Sequence, residues 1–215
     1  MQRLRITFSR GDEVKYLSHL DLMRLWERAL RRADIPLAYS QGFSPHPRIS
    51  IAAPLPIGVT SDGELMDILL QKKASPYLFI KTVGEQLPHG IGIAGVAQVA
   101  LPLPSLQSQV RQAEYRVELA TDKREQEVEE ALSSFMAKKQ LPWQHRRDRE
   151  MRHYDLRSLV DRLWLIEWQE SRCTLGMRLR TDSSATGRAE QVTLALGFPD
   201  PPRSIHRTEL ILAGG

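Results

Sequence analysis

At 215 residues, 41% hydrophobic and 26% charged, the chain has the size and make-up of one large globular domain or two small ones. A single cysteine, Cys173, excludes a disulfide framework, a thiolate zinc site and an iron–sulfur cluster ligated by this chain alone; no apolar run reaches the ~18 residues of a membrane helix. The formal charge of +4 is equalled within residues 1–50, where nine Lys/Arg face five Asp/Glu, and such clustering favours a polyanionic partner.

The N-terminal stretch MQRLRITFSRGDE alternates like a strand and has no apolar block of the signal-peptide kind, so a cytoplasmic location is expected. In RLRITFSR, Leu4, Ile6 and Phe8 share one face and Arg3, Arg5, Thr7 and Ser9 the other, the pattern of a half-buried strand. Ser18 with Asp21 three residues on is a variant capping box that starts a helix. Leu22, Trp26, Ala29, Leu30 and Ala33 form its apolar stripe, while Arg24, Arg28 and Arg31 form a basic one. The helix should stop before Pro36. PLAYS and RISIAAPLPI then read as strands, ELMDILLQ as another, SPYLFIKTVGEQL as a helix and IGIAGVAQVAL as a strand.

Residues 101–110, LPLPSLQSQV, are proline-rich and polar, as a linker would be. Beyond them EYRVELA reads as a strand with Tyr115, Val117 and Leu119 inward, followed by a helix carrying Val128, Ala131, Leu132, Phe135 and Met136. LWLIEW and CTLGMRLR are strands, residues 186–197 a helix and TELILA a last strand; Trp164, Ile166 and Trp168 are expected on one strand face. The order of the first half thus recurs. The expected fold is α+β, with two ferredoxin-like (βαββαβ) sandwich halves in tandem at 1–103 and 113–215 and a linker at 104–112, favoured over a single larger sheet.

The turn YSQGFSPHPRIS, residues 39–50, holds His46 between two prolines, which fix their own φ and bias their predecessors. Gly42 permits positive φ or close approach. Lys15, Tyr16, Ser18 and His19 lie at a helix start, a ready anion site. Together with Gln41, Gly42, Ser44, His46 and Arg48 they make a candidate ligand-binding set, in which His19 and His46 are the acid–base candidates. Arg3 and Arg5, on the sheet face away from the helices, and Arg24, Arg28 and Arg31 are the candidate phosphate contacts. No aromatic occupies the outward positions of the first strand, which excludes base stacking of the RNA-recognition-motif kind there. His145 and His153 flank the arginine-rich RRDREMR at a spacing that suits no standard zinc pattern, so that stretch reads as solvated and no metal is expected. Asp155 and Arg157 are expected as a local ion pair. No P-loop, dinucleotide fingerprint or nucleophile elbow occurs, and no cofactor is expected.

The run FSRGDEVKYLSHLDLMRLWERALRRADIPLAYSQGFSPHPRISIAAPLPIG, followed by SDGELMDI and later by YDLRSLV and HRTELIL, resembles the radical-SAM-linked domain family of unknown function. Members of that family occur alone or as the C-terminal part of cobalamin-binding radical SAM proteins. The resemblance covers most of the chain and implies association with a radical SAM enzyme, but it brings no catalytic residues. A radical SAM enzyme ligates its cluster with three closely spaced cysteines, so a chain with Cys173 alone is not one by itself; since the match begins at Phe8, no upstream catalytic module is expected either. The favoured expectation is an accessory or substrate-binding protein, not catalytic alone, that contacts RNA or an RNA–protein particle. A rival is a stand-alone ribonuclease-like enzyme using His19 or His46, similar in fold alone to CRISPR repeat-processing endoribonucleases. Against it, the chain lacks their glycine-rich C-terminal loop. A third reading is a scaffold that docks a radical SAM protein. No membrane contact is expected, and the sequence does not set the oligomeric state.

Overall fold

Strand β1 (Gln2–Arg10) buries Leu4, Ile6 and Phe8 completely while Arg5, Thr7 and Ser9 stay partly accessible, the alternation that a pleated backbone imposes. The computed structural model describes residues 1–147 and 150–214, and backbone alone at 146, 147 and 150. It is a mixed α+β chain with antiparallel sheets and, among the described residues, five α-helices. The chain divides into two units, Met1–Val110 and Arg111–Gly215. Residues 104–112, expected as a linker, hold the short helix α3 (Leu106–Gln109) and the first residues of a strand, with Leu106 and Val110 buried.

In the first unit β1 leads through a 3-10 turn at Asp12–Val14 into α1 (His19–Arg32). Ser18 caps that helix: its Oγ accepts from the Asp21 amide at 3.2 Å and donates to the Asp21 carboxylate at 2.7 Å. Leu22, Trp26, Ala29 and Leu30 pack inward, Trp26 edge-on to Phe8 with ring centroids 5.0 Å apart. Beyond the helix Asp34 takes a left-handed φ of 52°, and Ile35 N–H bonds back to Leu30 O. Then come β2 (Ile49–Ile51), β3 (Thr60–Leu70), α2 (Pro76–Gly84) and β4 (Ile91–Val99), in the sheet order β4-β1-β3-β2. The PLAYS segment makes only isolated bridges at Leu37 and Tyr39, because Leu69 on β3 gives its N–H to Arg48 O and its carbonyl to Ala38 N–H. Two segments share that stretch of edge, so neither forms a full ladder there.

In the second unit β5 (Val110–Ala120) buries Tyr115, Val117 and Leu119, and α4 (Glu125–Ala137) buries Val128, Leu132 and Phe135. Strands β8 (Val160–Gln169), β9 (Arg172–Arg180) and β10 (Ser204–Leu212), with α5 (Ala189–Ala195), complete the order β10-β5-β9-β8. Between α4 and β8 the arginine-rich stretch, expected to be solvated, forms a hairpin of β6 (Pro142–Arg147) and β7 (Glu150–Asp155) on which Met151, Arg152 and His153 are exposed; residues 148 and 149 lie outside the described residues. A register shift between Leu165 and Glu167 corrects another expectation. Trp164 lies opposite Gly176 and Trp168 opposite Cys173, three residues apart on β9, so the two indoles face opposite sides of the sheet. Gly176 is obligatory there, since a Cβ would come within 1.9 Å of the Trp164 ring. Among the described residues no helix is long and apolar enough to cross a membrane.

Candidate nucleic-acid interface

The face of the first sheet opposite its helices is built around a charge cluster. Asp67 on β3 stands opposite Arg5 on β1 and Ser50 on β2. Its carboxylate accepts from Arg3 Nε and Nη2 at 2.9 and 2.6 Å and from Arg5 Nε and Nη2 at 2.9 and 3.1 Å. Arg3 also donates to Leu103 O and Pro104 O, and Arg5 to Gln109 Oε1. Gln107 Nε2 reaches Ile51 O. The 101–109 segment therefore covers this face, and the side chains of Arg3, Arg5 and Asp67 retain 8, 15 and 2% exposure. Arg3 and Arg5 were expected to meet phosphate on an open face. The structure corrects this: both guanidiniums are engaged by one buried carboxylate, that of Arg3 also by two backbone carbonyls and that of Arg5 by the Gln109 side chain.

The two halves of the candidate ligand set are anchored at different points along β3. Segment 12–17 is anchored at the start of β3: Arg10 pairs with Ser61, its buried guanidinium donates to Val14 O, Lys15 O and Leu17 O, and Lys15 O accepts from Gly58 N–H. Loop 39–48 is anchored at the other end, where Arg48 O accepts from Leu69 N–H. From Ser61 to Leu69 an extended strand spans about 26 Å. Lys15 is paired with Asp12 at 2.9 Å, which raises its pKa, and lies 5.5 Å from the centroid of the exposed Tyr16 ring. Ser18 is occupied in capping α1, and His19 is exposed at its first turn. His19 thus belongs to the segment anchored at the start of β3 and His46 to the loop anchored near its end.

The loop itself is ordered by its own backbone. Ser40 N–H donates to His46 O at 2.9 Å, His46 N–H to Ser40 Oγ at 3.0 Å, and Tyr39 bridges Pro47. Gly42 adopts φ 125°, a region L side chains rarely occupy. Gln41, Ser44 and His46 are exposed, and Phe43 projects fully into solvent. Sequence reasoning passed over Phe43; its signal was an aromatic within a Gly–Ser–Pro turn, where no core lies within reach.

Around this loop the chain gathers cations from three separate segments. The end of α1 reaches β3 through Leu37, which bridges Leu70, and the turn after β3 is tied in by Gln71 N–H to Pro36 O. Arg31 in the last turn of α1, Arg48, Lys72 and Lys73 are all exposed there, with Asp34 as the acidic residue in these segments. The exposed stripe of Arg24, Arg28 and Arg31 runs along α1 toward this end, Arg24 holding Asp21 at 3.5 Å. Lys72 and Lys73 were not foreseen, because only β3 carries them back to the loop.

The second unit offers less. On the β6–β7 hairpin Trp143 pairs with Tyr154 and His145 with Arg152, and the His145 and Tyr154 rings meet edge-on at 5.5 Å. Tyr154 donates to Gln191, and burial raises its pKa. In place of the expected Asp155–Arg157 side-chain pair, Asp155 accepts backbone amides of Leu141 and Arg157 while the Arg157 guanidinium donates to Met136 O and Val160 O. Cys173 is buried and its thiol pushed up to about 11, which keeps it protonated and unreactive near neutral pH. Among the described residues no group of His, Cys, Asp and Glu is arranged to hold a metal ion.

The fold is similar to that of a chain in a crystal structure of a Cbf5-Nop10-Gar1 complex, at 10% identity and TM-score 0.52, over 97% of this chain and 48% of that one. Similar chains also occur in an archaeal box H/ACA sRNP Nop10-Cbf5 complex (12% identity, TM-score 0.49, 98% and 48% covered) and in an H/ACA RNP bound to a substrate RNA containing 2'-deoxyuridine (11%, 0.49, 96% and 46%). At these identities the likeness is one of fold alone, and the chain spans about half the length of the solved chains it matches. No curated protein matches it. The family model described as an uncharacterized protein conserved in bacteria (DUF2344) matches residues 3–189, and the chain belongs to that family.

Proposed function

We propose that the chain is an RNA-contacting accessory protein that works beside a radical SAM enzyme, with two ferredoxin-like halves and its RNA surface on the first. The observation that supports this reading is the cluster of Arg31, Arg48, Lys72 and Lys73 with the single Asp34 around a pre-ordered loop at one end of the sheet. Exposed cations gathered from distant segments, with few acids beside them, attract a phosphate backbone through counterion release. The strand order β4-β1-β3-β2, repeated as β10-β5-β9-β8, supports the ferredoxin-like reading of each half. The radical SAM association rests on the sequence resemblance and is tested by co-elution of the chain with a co-expressed radical SAM protein.

The RNA reading is tested with the full chain and a labelled RNA oligonucleotide over a range of salt. Changing Arg31, Arg48, Lys72 and Lys73 to Gln should weaken binding and lower the log–log salt slope by up to about 3, at ~0.7 per lost single-strand phosphate contact. Wild-type protein with no salt-dependent binding, or a variant with unchanged affinity and slope, refutes the reading.

A further inference from the structure

Phe43 is the one large apolar side chain between Ser40 and Pro47, and it is fully exposed. A mobile loop would let such a ring fold back onto the protein. This one is closed by the paired bonds between Ser40 and His46, set on the Tyr39–Pro47 bridge, and turned at Gly42 by a φ of 125°, with no atom beyond Gln41 and Phe43 within 4 Å of the Cβ position. The ring is thus displayed at the tip of a built loop. Among its chain neighbours Gln41, Ser44 and His46 are polar and exposed, Pro45 is exposed beside them, and at the loop's base the Tyr39 ring is 43% exposed, a second aromatic surface on the same loop. Arg48 leaves the same loop, and Lys72 and Lys73 leave the strand end to which the loop is tied.

An exposed aromatic face beside cations is the arrangement that receives unpaired bases: the ring stacks on the base and the cations meet the backbone on either side. We infer that Phe43 is a nucleobase-stacking residue and that loop 40–46 takes single-stranded RNA, a refinement that rests on the proposed RNA function. A base held within a duplex does not offer its face to the ring, so the loop distinguishes unpaired from paired RNA. The absence of outward aromatics on β1 does not bear on this, because the stacking group is carried by a loop and not by the sheet.

The test uses the full chain with an unstructured RNA oligonucleotide and with the duplex formed from it. Phe43→Ala should weaken single-strand binding about 5- to 100-fold, the scale of one lost base–aromatic stack. The salt slope and the duplex affinity should stay as in wild type, and Phe43→Tyr should retain single-strand affinity. Unchanged single-strand binding by Phe43→Ala, while the Gln variant of the four cations loses affinity, overturns the stacking role alone and leaves the ring as a contact for a protein. Wild-type protein that binds neither RNA overturns the proposed function, and the stacking role with it.

Discussion

Removing the Asp67 carboxylate should be among the costliest single changes in the first unit. The carboxylate accepts four hydrogen bonds from two guanidiniums, and its side chain is 2% exposed. In Asp67→Ala, Arg3, itself 7% exposed, stays charged and buried with no anion beside it. Breaking a buried pair from one side costs about 3–5 kcal/mol, because the remaining charge keeps its desolvation penalty and loses its compensation. Against a domain stability of about 5–15 kcal/mol, that is a large share. Urea unfolding should read the loss as a lower midpoint at nearly unchanged slope. Since Arg3 also holds Leu103 O and Pro104 O, amides of residues 101–109 should lose hydrogen-exchange protection before those of β1. The triple change Arg3→Met, Arg5→Met and Asp67→Leu removes all three charges together and should recover most of the loss, as apolar replacements of buried ion clusters do. A cost below about 1 kcal/mol for Asp67→Ala, or a triple variant no better than the single one, would refute the account of this cluster as a buried, mutually dependent unit.

Two further outcomes follow from local geometry. His46→Ala should lower stability by less than about 1 kcal/mol, since the imidazole is exposed and the residue is held through its backbone, while weakening RNA binding; a large thermal destabilisation with intact binding would make His46 a structural pin of the loop. The Asp182 carboxyl is held well below the usual carboxylate range by the Ser184 hydroxyl, then by Arg180 and the Ser184 and Ala185 amides. A depressed folded-state pKa stabilises the fold above the unfolded value near ~4, and that stability is lost as pH falls through the folded value. Asp182→Asn should therefore cost about 1 kcal/mol at neutral pH, and its gap from wild type should close in acid; a gap independent of pH in urea melts counts against the assignment.

The elements that sequence determined are those whose cause is local. The period-two alternation of RLRITFSR, the Ser18–Asp21 cap, the apolar stripe of α1 and the inward faces of β5 and α4 each arise from residues within one or two turns of each other, and all are found in the structure. The β6–β7 hairpin escaped because charge masked a weak alternation, and the tryptophans of β8 changed faces because one extra residue at a bulge inverts every later side chain. For the candidate site the balance reverses. Composition showed that the first fifty residues are basic, and the turn at 39–50 was recognisable by its prolines and glycine. Which cations reach solvent was decided by tertiary pairing: Asp67, sixty-two residues from Arg5, withdraws two arginines into the covered face of the sheet. The length of β3 then separates the anchor of segment 12–17 from that of loop 39–48 and brings Lys72 and Lys73 to the end where Arg48 and Phe43 emerge. Helix and strand periodicities act over a few residues, whereas charge pairing and strand register act between segments that only the folded chain brings into contact.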